Sequence, residues 1–272
     1  MHNTMKRILA LLTIICVVFS SCTKSTDKSD ILQQFISSIH PTELNVKSYA
    51  DIANPMNPYD DAGVIHNEMI TSIIQTRNNE CDSLDFINCI NKYSDFEIEN
   101  LNVFRLLINS IYPKIFDAEG TYKGDLVNNL KNIPELEKAT INTFFQNITN
   151  YSAVSDKISA CINSEKFIIE SCDYTKESKE RILSCLAIYR YSTYLWDIKL
   201  GPSQDKNFRN WSNIYDVFDA IGEYLALQTD IPWDEYHIDI QDGKDVYRFA
   251  GMVSLSAAIS FSFIDPVGLL FK

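Results

Sequence analysis

The chain has 272 residues, 46% of them hydrophobic, and carries a net charge of −12 with a pI near 4.8. So acidic a balance argues against nucleic acid and against an anionic membrane face as partners. The length suits one large domain or two small ones, and a single hydrophobic core can grow to that size.

The first element is a targeting segment. Lys6 and Arg7 precede an apolar run from Ile8 to Phe19, and Ser20 and Ser21 lead into Cys22. A run of about a dozen apolar residues is well short of the roughly 20 that cross a bilayer, so it reads as an export signal. Small residues directly before a cysteine resemble the lipobox of bacterial lipoproteins. On that resemblance residues 1–21 are a cleaved signal peptide and Cys22 becomes the lipidated first residue, anchored to a membrane at the periplasm or cell surface. Removing Lys6 and Arg7 with the signal takes the net charge to −14 and leaves 251 residues. The stretch "TKSTDKSD" that follows is without apolar residues, and residues 22–30 read as a flexible tether.

From residue 31 to 272 the apolar residues recur mainly at helical spacing. One stripe is Ile31, Leu32, Phe35, Ile36 and Ile39. Further stripes run from Leu101 to Ile115, from Val154 to Ile162 and from Ile214 to Leu225. Breaks fall at Pro41, Pro55, Pro58, Gly120, Gly124, Pro134, Gly201, Pro202 and Pro232. The pattern predicts an all-α single domain, an array of roughly eight helices. The run "ILSCLAIYRYSTYLWDIKL", residues 182 to 200, is apolar on more than one face and predicts a central helix. With the segment from Tyr151 to Glu170 it predicts an antiparallel hairpin about the polar turn near Asp173. The uncharged stretch "FAGMVSLSAAISFSFI" near the end predicts a buried helix with a small-residue face of Gly251, Ser254, Ala258 and Ser262.

Beyond Cys16 in the signal and Cys22, the cysteines are Cys81, Cys89, Cys161, Cys172 and Cys185, with no C-x-x-C among them. Cys161 and Cys185 fall at the same height of the hairpin. Packed helices stand about 8–10 Å apart, too far for a disulfide. All five are therefore expected as unpaired, mainly structural thiols. No metal-ligand spacing and no cofactor motif is present, so neither is implied.

Two segments crowd polar chemistry. In "NPYDDAGVIHNE", Pro58 keeps Asn57 extended, so a helix starts after it. Asp60 is placed to cap that helix, Asp61 to meet its dipole, and Tyr59 to staple onto Val64. Gly63 costs a helix about 1 kcal/mol relative to Ala, which points to something packed closely over it. His66 and Asn67 are not explained by helix entry. His66 is expected as a hydrogen-bonded core histidine, and the competing expectation is a general base or metal ligand helped by Asp60 or Asp61. The second segment, "DIPWDEYHIDIQDGKDVY", gathers His237 with several carboxylates and reads mainly as a solvated loop, with His237 a weak binding candidate alongside Asn67.

Asn57, Pro58, Tyr59 and Asp60, with Gly63, His66 and Asn67, resemble the N-P-Y-D-x-x-G-x-x-H-N signature of small exported lipoproteins of Gram-negative anaerobes. The order of parts is similar too: export signal, signature, helical middle, small-residue tail. In that family the tail is richer in glycine, whereas here serine and alanine take its place. The resemblance implies location and architecture rather than a chemistry. The sequence therefore leads to a lipid-anchored, exported binding module for an unknown protein or small molecule, with a hydrolase using His66 and a nearby aspartate, with or without a metal, as the alternative.

Lipidation at Cys22 is directly testable. Mass spectrometry of the membrane fraction should find a diacylglyceryl cysteine at that residue, and Cys22→Ala should lose the lipid and the wild-type pattern of processing and membrane binding. A variant still membrane-bound and processed would remove the claim.

Overall fold

A computed structural model describes residues 27–80, 115–116, 121–130, 133–200, 216–217, 219–221 and 224. Among these every regular element is helical and no strand occurs, so the domain is all-α as expected. The Leu101 to Ile111 stripe, Cys22, His237 and the small-residue tail lie outside the described residues.

The first helix, α1 (Lys28–Ser38), begins inside the stretch read as tether. The cause is Asp27, whose carboxylate accepts from the Ser29 amide at 3.0 Å and caps the helix. Its Ile31 and Phe35 face the core, as does Ile39 just beyond the last turn. The short α2 (Tyr49–Ile52) opens on a capping box of Ser48 and Asp51. Hydrogen bonds to Asp51, first from the Lys47 amide and then from Ser48, hold its carboxyl below the usual carboxylate range.

After the proline-rich loop comes α3 (Asp61–Glu80), then α4 (Asp125–Asn129) and α5 (Glu135–Ile148). Gly124 precedes α4 with φ of 75°, a left-handed conformation that suits glycine. The hairpin is formed by α6 (Val154–Glu170) and α7 (Lys176–Thr193), and α7 continues as a π-helical segment, Tyr194–Leu200. Every residue of α7 from Ile182 to Thr193 is buried. A helix enclosed on all faces must be packed by others on all faces, and α3, α6, α5 and α2 all pack against it.

Each end of this central helix carries a buried ion pair. Near its start Glu137 of α5 takes Arg181 Nε and Nη2 at 2.7 and 2.6 Å, Ser178 Oγ at 2.6 Å and the Tyr224 hydroxyl at 2.9 Å. The hydrogen bonds to Glu137 keep the Arg181 guanidinium above its ordinary pKa.

Cys161 and Cys185 are buried thiols, with Cys161 Sγ donating to the carbonyl of Leu186 at 3.2 Å. Burial pushes the Cys161 thiol up, which leaves it unreactive. The expectation of five unpaired thiols needs correction, because Cys172 is disulfide-bonded. The helix-spacing argument does not reach it: Cys172 is exposed in the turn after Glu170, off the helical faces.

Gly63 marks the crossing of α3 over α7. A Cβ there would lie 2.3 Å from Cδ2 of Tyr191 and 2.8 Å from the carbonyl oxygen of Ala187, so the close packing inferred from sequence is present. Gly63→Ala should lower stability in urea unfolding with little change in slope. Overpacking costs about 1–3 kcal/mol, and a helix carbonyl cannot swing aside. That loss should exceed the gain of about 1 kcal/mol in helix propensity. A more stable alanine variant would contradict the packing.

Candidate functional site

The loop before α3 is built on asparagine. Asn54 and Asn57 are buried, and their side-chain oxygens receive the amides of Met56 and Tyr59 at 3.2 and 2.9 Å. These Asx turns shape the two proline corners. The amide nitrogens point inward, where Asn54 donates to Glu165 Oε2 at 2.6 Å and Asn57 to Oε1 at 3.0 Å and to the Leu183 carbonyl at 3.1 Å.

Glu165 also takes Arg190. That guanidinium, fully buried, donates to Glu165 Oε1 at 3.0 Å, to Asp60 Oδ1 at 2.5 Å and to the carbonyl of Ile52. Burial alone would lower its pKa, but the charges of Glu165 and Asp60 outweigh it and raise the group above its ordinary value. Asp60 further accepts from the Asn54 amide at 3.3 Å and the Tyr191 hydroxyl at 3.1 Å. Its carboxylate is thus turned to α7. The amides of Ala62 and Gly63, which a capping Asp60 would have bonded, go to the carbonyls of Tyr59 and Asp60. Tyr59 and Val64 pack into different apolar clusters, so the staple does not form either. Asp61 is exposed in the first turn of α3.

His66 is wholly buried, with no surface open to solvent. Asn67 beside it donates from Nδ2 to the Tyr191 carbonyl at 2.7 Å, which turns its oxygen toward His66 Nδ1 at 3.0 Å. That oxygen can only accept, so Nδ1 carries the proton. His66 Nε2 stands 3.4 Å from Asp219 Oδ2 without a hydrogen bond. Asp219 Oδ2 takes Ser192 Oγ at 2.6 Å and Trp196 Nε1 at 3.1 Å. Next to it, Asp216 takes Thr193 Oγ1 at 3.0 Å and lies 3.9 Å from Lys157. Burial, then the charge of Asp197, pushes the Asp216 carboxyl well up.

The serine of this cluster bonds the aspartate, not the histidine, so nothing withdraws its proton toward an imidazole. Among the described residues no hydroxyl or thiol is hydrogen-bonded to His66, as activation of a nucleophile by it would need. Among the described residues no three His, Cys, Asp or Glu side chains gather as metal ligands.

An open cleft of about 560 Å³ lies one residue away from His66, lined by Tyr49, Val64, Asn67, Glu68, Thr71 and Tyr191. Val64, Asn67, Glu68 and Thr71 share one face of α3 by their spacing of three and four. Opposite them are Tyr49 of α2 and Tyr191 of α7, whose rings lie 6.2 Å apart and nearly parallel. Burial raises the Tyr49 hydroxyl above its ordinary pKa, a hydrogen bond with Asn67 works against that, and the charge of Glu68 adds to the rise.

Of the candidates read from sequence, the fold thus joins Asp60 to Arg190, buries His66 against Asp219, and places Asn67 on the cleft. It does not bring Asp60 or Asp61 to His66 in any hydrogen bond among the described residues. Sequence reasoning missed Glu165, Arg190, Asp219 and the two tyrosines. One signal was available: Arg190 is the single charge between Ile182 and Trp196, and a charge in so apolar a run demands a buried partner. No protein-family model matches the chain, and neither a curated protein nor a solved structure is significantly similar to it.

Asp60 offers a test of its role. As a cap it would be replaceable by serine, but as the partner of a buried guanidinium it is not. Asp60→Ser and Asp60→Ala should both lower the unfolding free energy, by about 3–5 kcal/mol, because each leaves a buried charge short of its counter-ion. Recovery by serine to near wild type, read in denaturant unfolding, would restore the cap.

Proposed function

We propose that this is an exported, lipid-anchored helical protein that binds a ligand in the cleft between α3 and the Tyr49–Tyr191 pair, at the periplasmic or outer face of a bacterial membrane. The observation that carries the binding reading is the division of labour between neighbours. His66 is sealed in the core while Asn67, which it orients, forms the cleft wall. A general base must come within hydrogen-bond reach of the proton it removes. A wholly buried imidazole facing a carboxylate is placed to hold Asn67 instead.

Export is supported by the apolar run before Cys22, by the similarity of the signature to exported lipoproteins, and by a disulfide at Cys172, a bond typical of oxidising compartments. Among the described residues no helix is long and apolar enough to cross a membrane. The cleft volume lies in the range of small-molecule sites.

The test is saturation-transfer NMR of the purified protein with a set of small aromatic probes. Binding should be detected and should vanish in Tyr49→Ala, a change at a residue 39% exposed that the fold should tolerate. Probes unaffected by Tyr49→Ala would move the site elsewhere. Hydrolysis of p-nitrophenyl acetate that is lost in a folded His66→Gln variant would replace the binding reading by the hydrolase.

A further inference from the structure

The lining of the cleft is specific enough to name a class of ligand. Its described residues carry one formal charge, the exposed carboxylate of Glu68. Asn67 cannot serve a ligand freely, since its oxygen takes His66 and its nitrogen serves the Tyr191 carbonyl. What faces the cleft is therefore a carboxylate, a threonine hydroxyl, a valine and two tyrosine rings, with Tyr194 tilted against Tyr49 at 4.7 Å between centroids. Aromatic faces attract cations through their quadrupole, and a carboxylate adds a full charge at the rim.

Resting on the binding reading above, we infer that the cleft takes a small organic cation, an amine or amidinium on a flat apolar body. The apolar body lies against Tyr49 and Val64, and the cationic group reaches Glu68. Tyr191 already serves one cation in this way, since Arg190 Cζ lies 5.2 Å from its ring centroid. The second tyrosine, Tyr49, is 39% exposed and meets the solvent. The acidity of the whole chain favours the same sign of ligand by raising the local concentration of cations.

Benzamidine and benzamide separate the charge from the shape. Isothermal titration of the purified protein should show benzamidine binding more tightly than benzamide, with the gap closing as salt rises. Glu68→Gln should reduce that gap by about fivefold, the upper size of one exposed charge contact, without weakening benzamide. Tyr49→Ala should weaken both. Equal binding of the two probes, lost together in Tyr49→Ala, would overturn the cation while keeping the cleft as a binding site. Failure of both probes to bind would remove the cleft reading with it. If acetyl-Gly-Arg-Gly-amide binds more tightly than benzamidine, the cation belongs to a partner protein's side chain, and the small-molecule assignment falls.

Discussion

A guanidinium with no access to water organises this domain. Arg190 stands in the last turn of the central helix, fully buried, where an unpaired charge would cost several kcal/mol. It is neutralised by Glu165 from the other arm of the hairpin and by Asp60 from the loop before α3. The same Glu165 then takes both loop asparagines. One buried charge therefore fixes the register of the hairpin, the path of the proline-rich loop and the point at which α3 begins.

From that point the signature reads as a sequence of docking contacts along one helix. Asn57 and Asp60 fasten the entry to Glu165 and Arg190. Three residues on, Gly63 lets α3 approach the backbone of α7 at Ala187 and the ring of Tyr191. Another turn on, His66 meets Asp219 and Asn67 meets the Tyr191 carbonyl. The spacing of three and four keeps all these contacts on faces turned to the central helix. A motif that looks like chemistry from its residue types is here a means of setting one helix against another with polar contacts. Because those contacts are directional, they specify a single docking in a way that apolar packing alone does less sharply.

The cleft follows from this docking. Asn67 is held from both sides, and its neighbour Glu68 is turned outward by helical geometry alone. Tyr191 is held at its hydroxyl by Asp60, so the wall of the cleft and the core network share a residue. Changes in the buried network should therefore be felt at the binding surface through Tyr191, the side chain that belongs to both.

Periodicity settled the helical class, the central position of residues 182 to 193 and the hairpin, and the propensity cost of a glycine inside a helix pointed to the tight packing over Gly63, because each depends only on local sequence. Local reasoning also located the residues that matter around Asn57 to Asn67. It assigned Asp60 to a cap and a staple to Tyr59, since a sequence window holds only nearby partners. The partners that decided otherwise are remote: Glu165 is 108 positions from Asn57, Arg190 130 from Asp60, and Tyr191 124 from Asn67. The first helix likewise starts earlier than its apolar stripe because a capping aspartate, Asp27, precedes it. Whether a polar residue faces a helix end, a buried counter-ion or a cleft depends on which distant segments pack beside it. Only the tertiary structure carries that: it set the buried His66 expected from the sequence against Asp219, and it brought Tyr49 beside Tyr191 at the cleft.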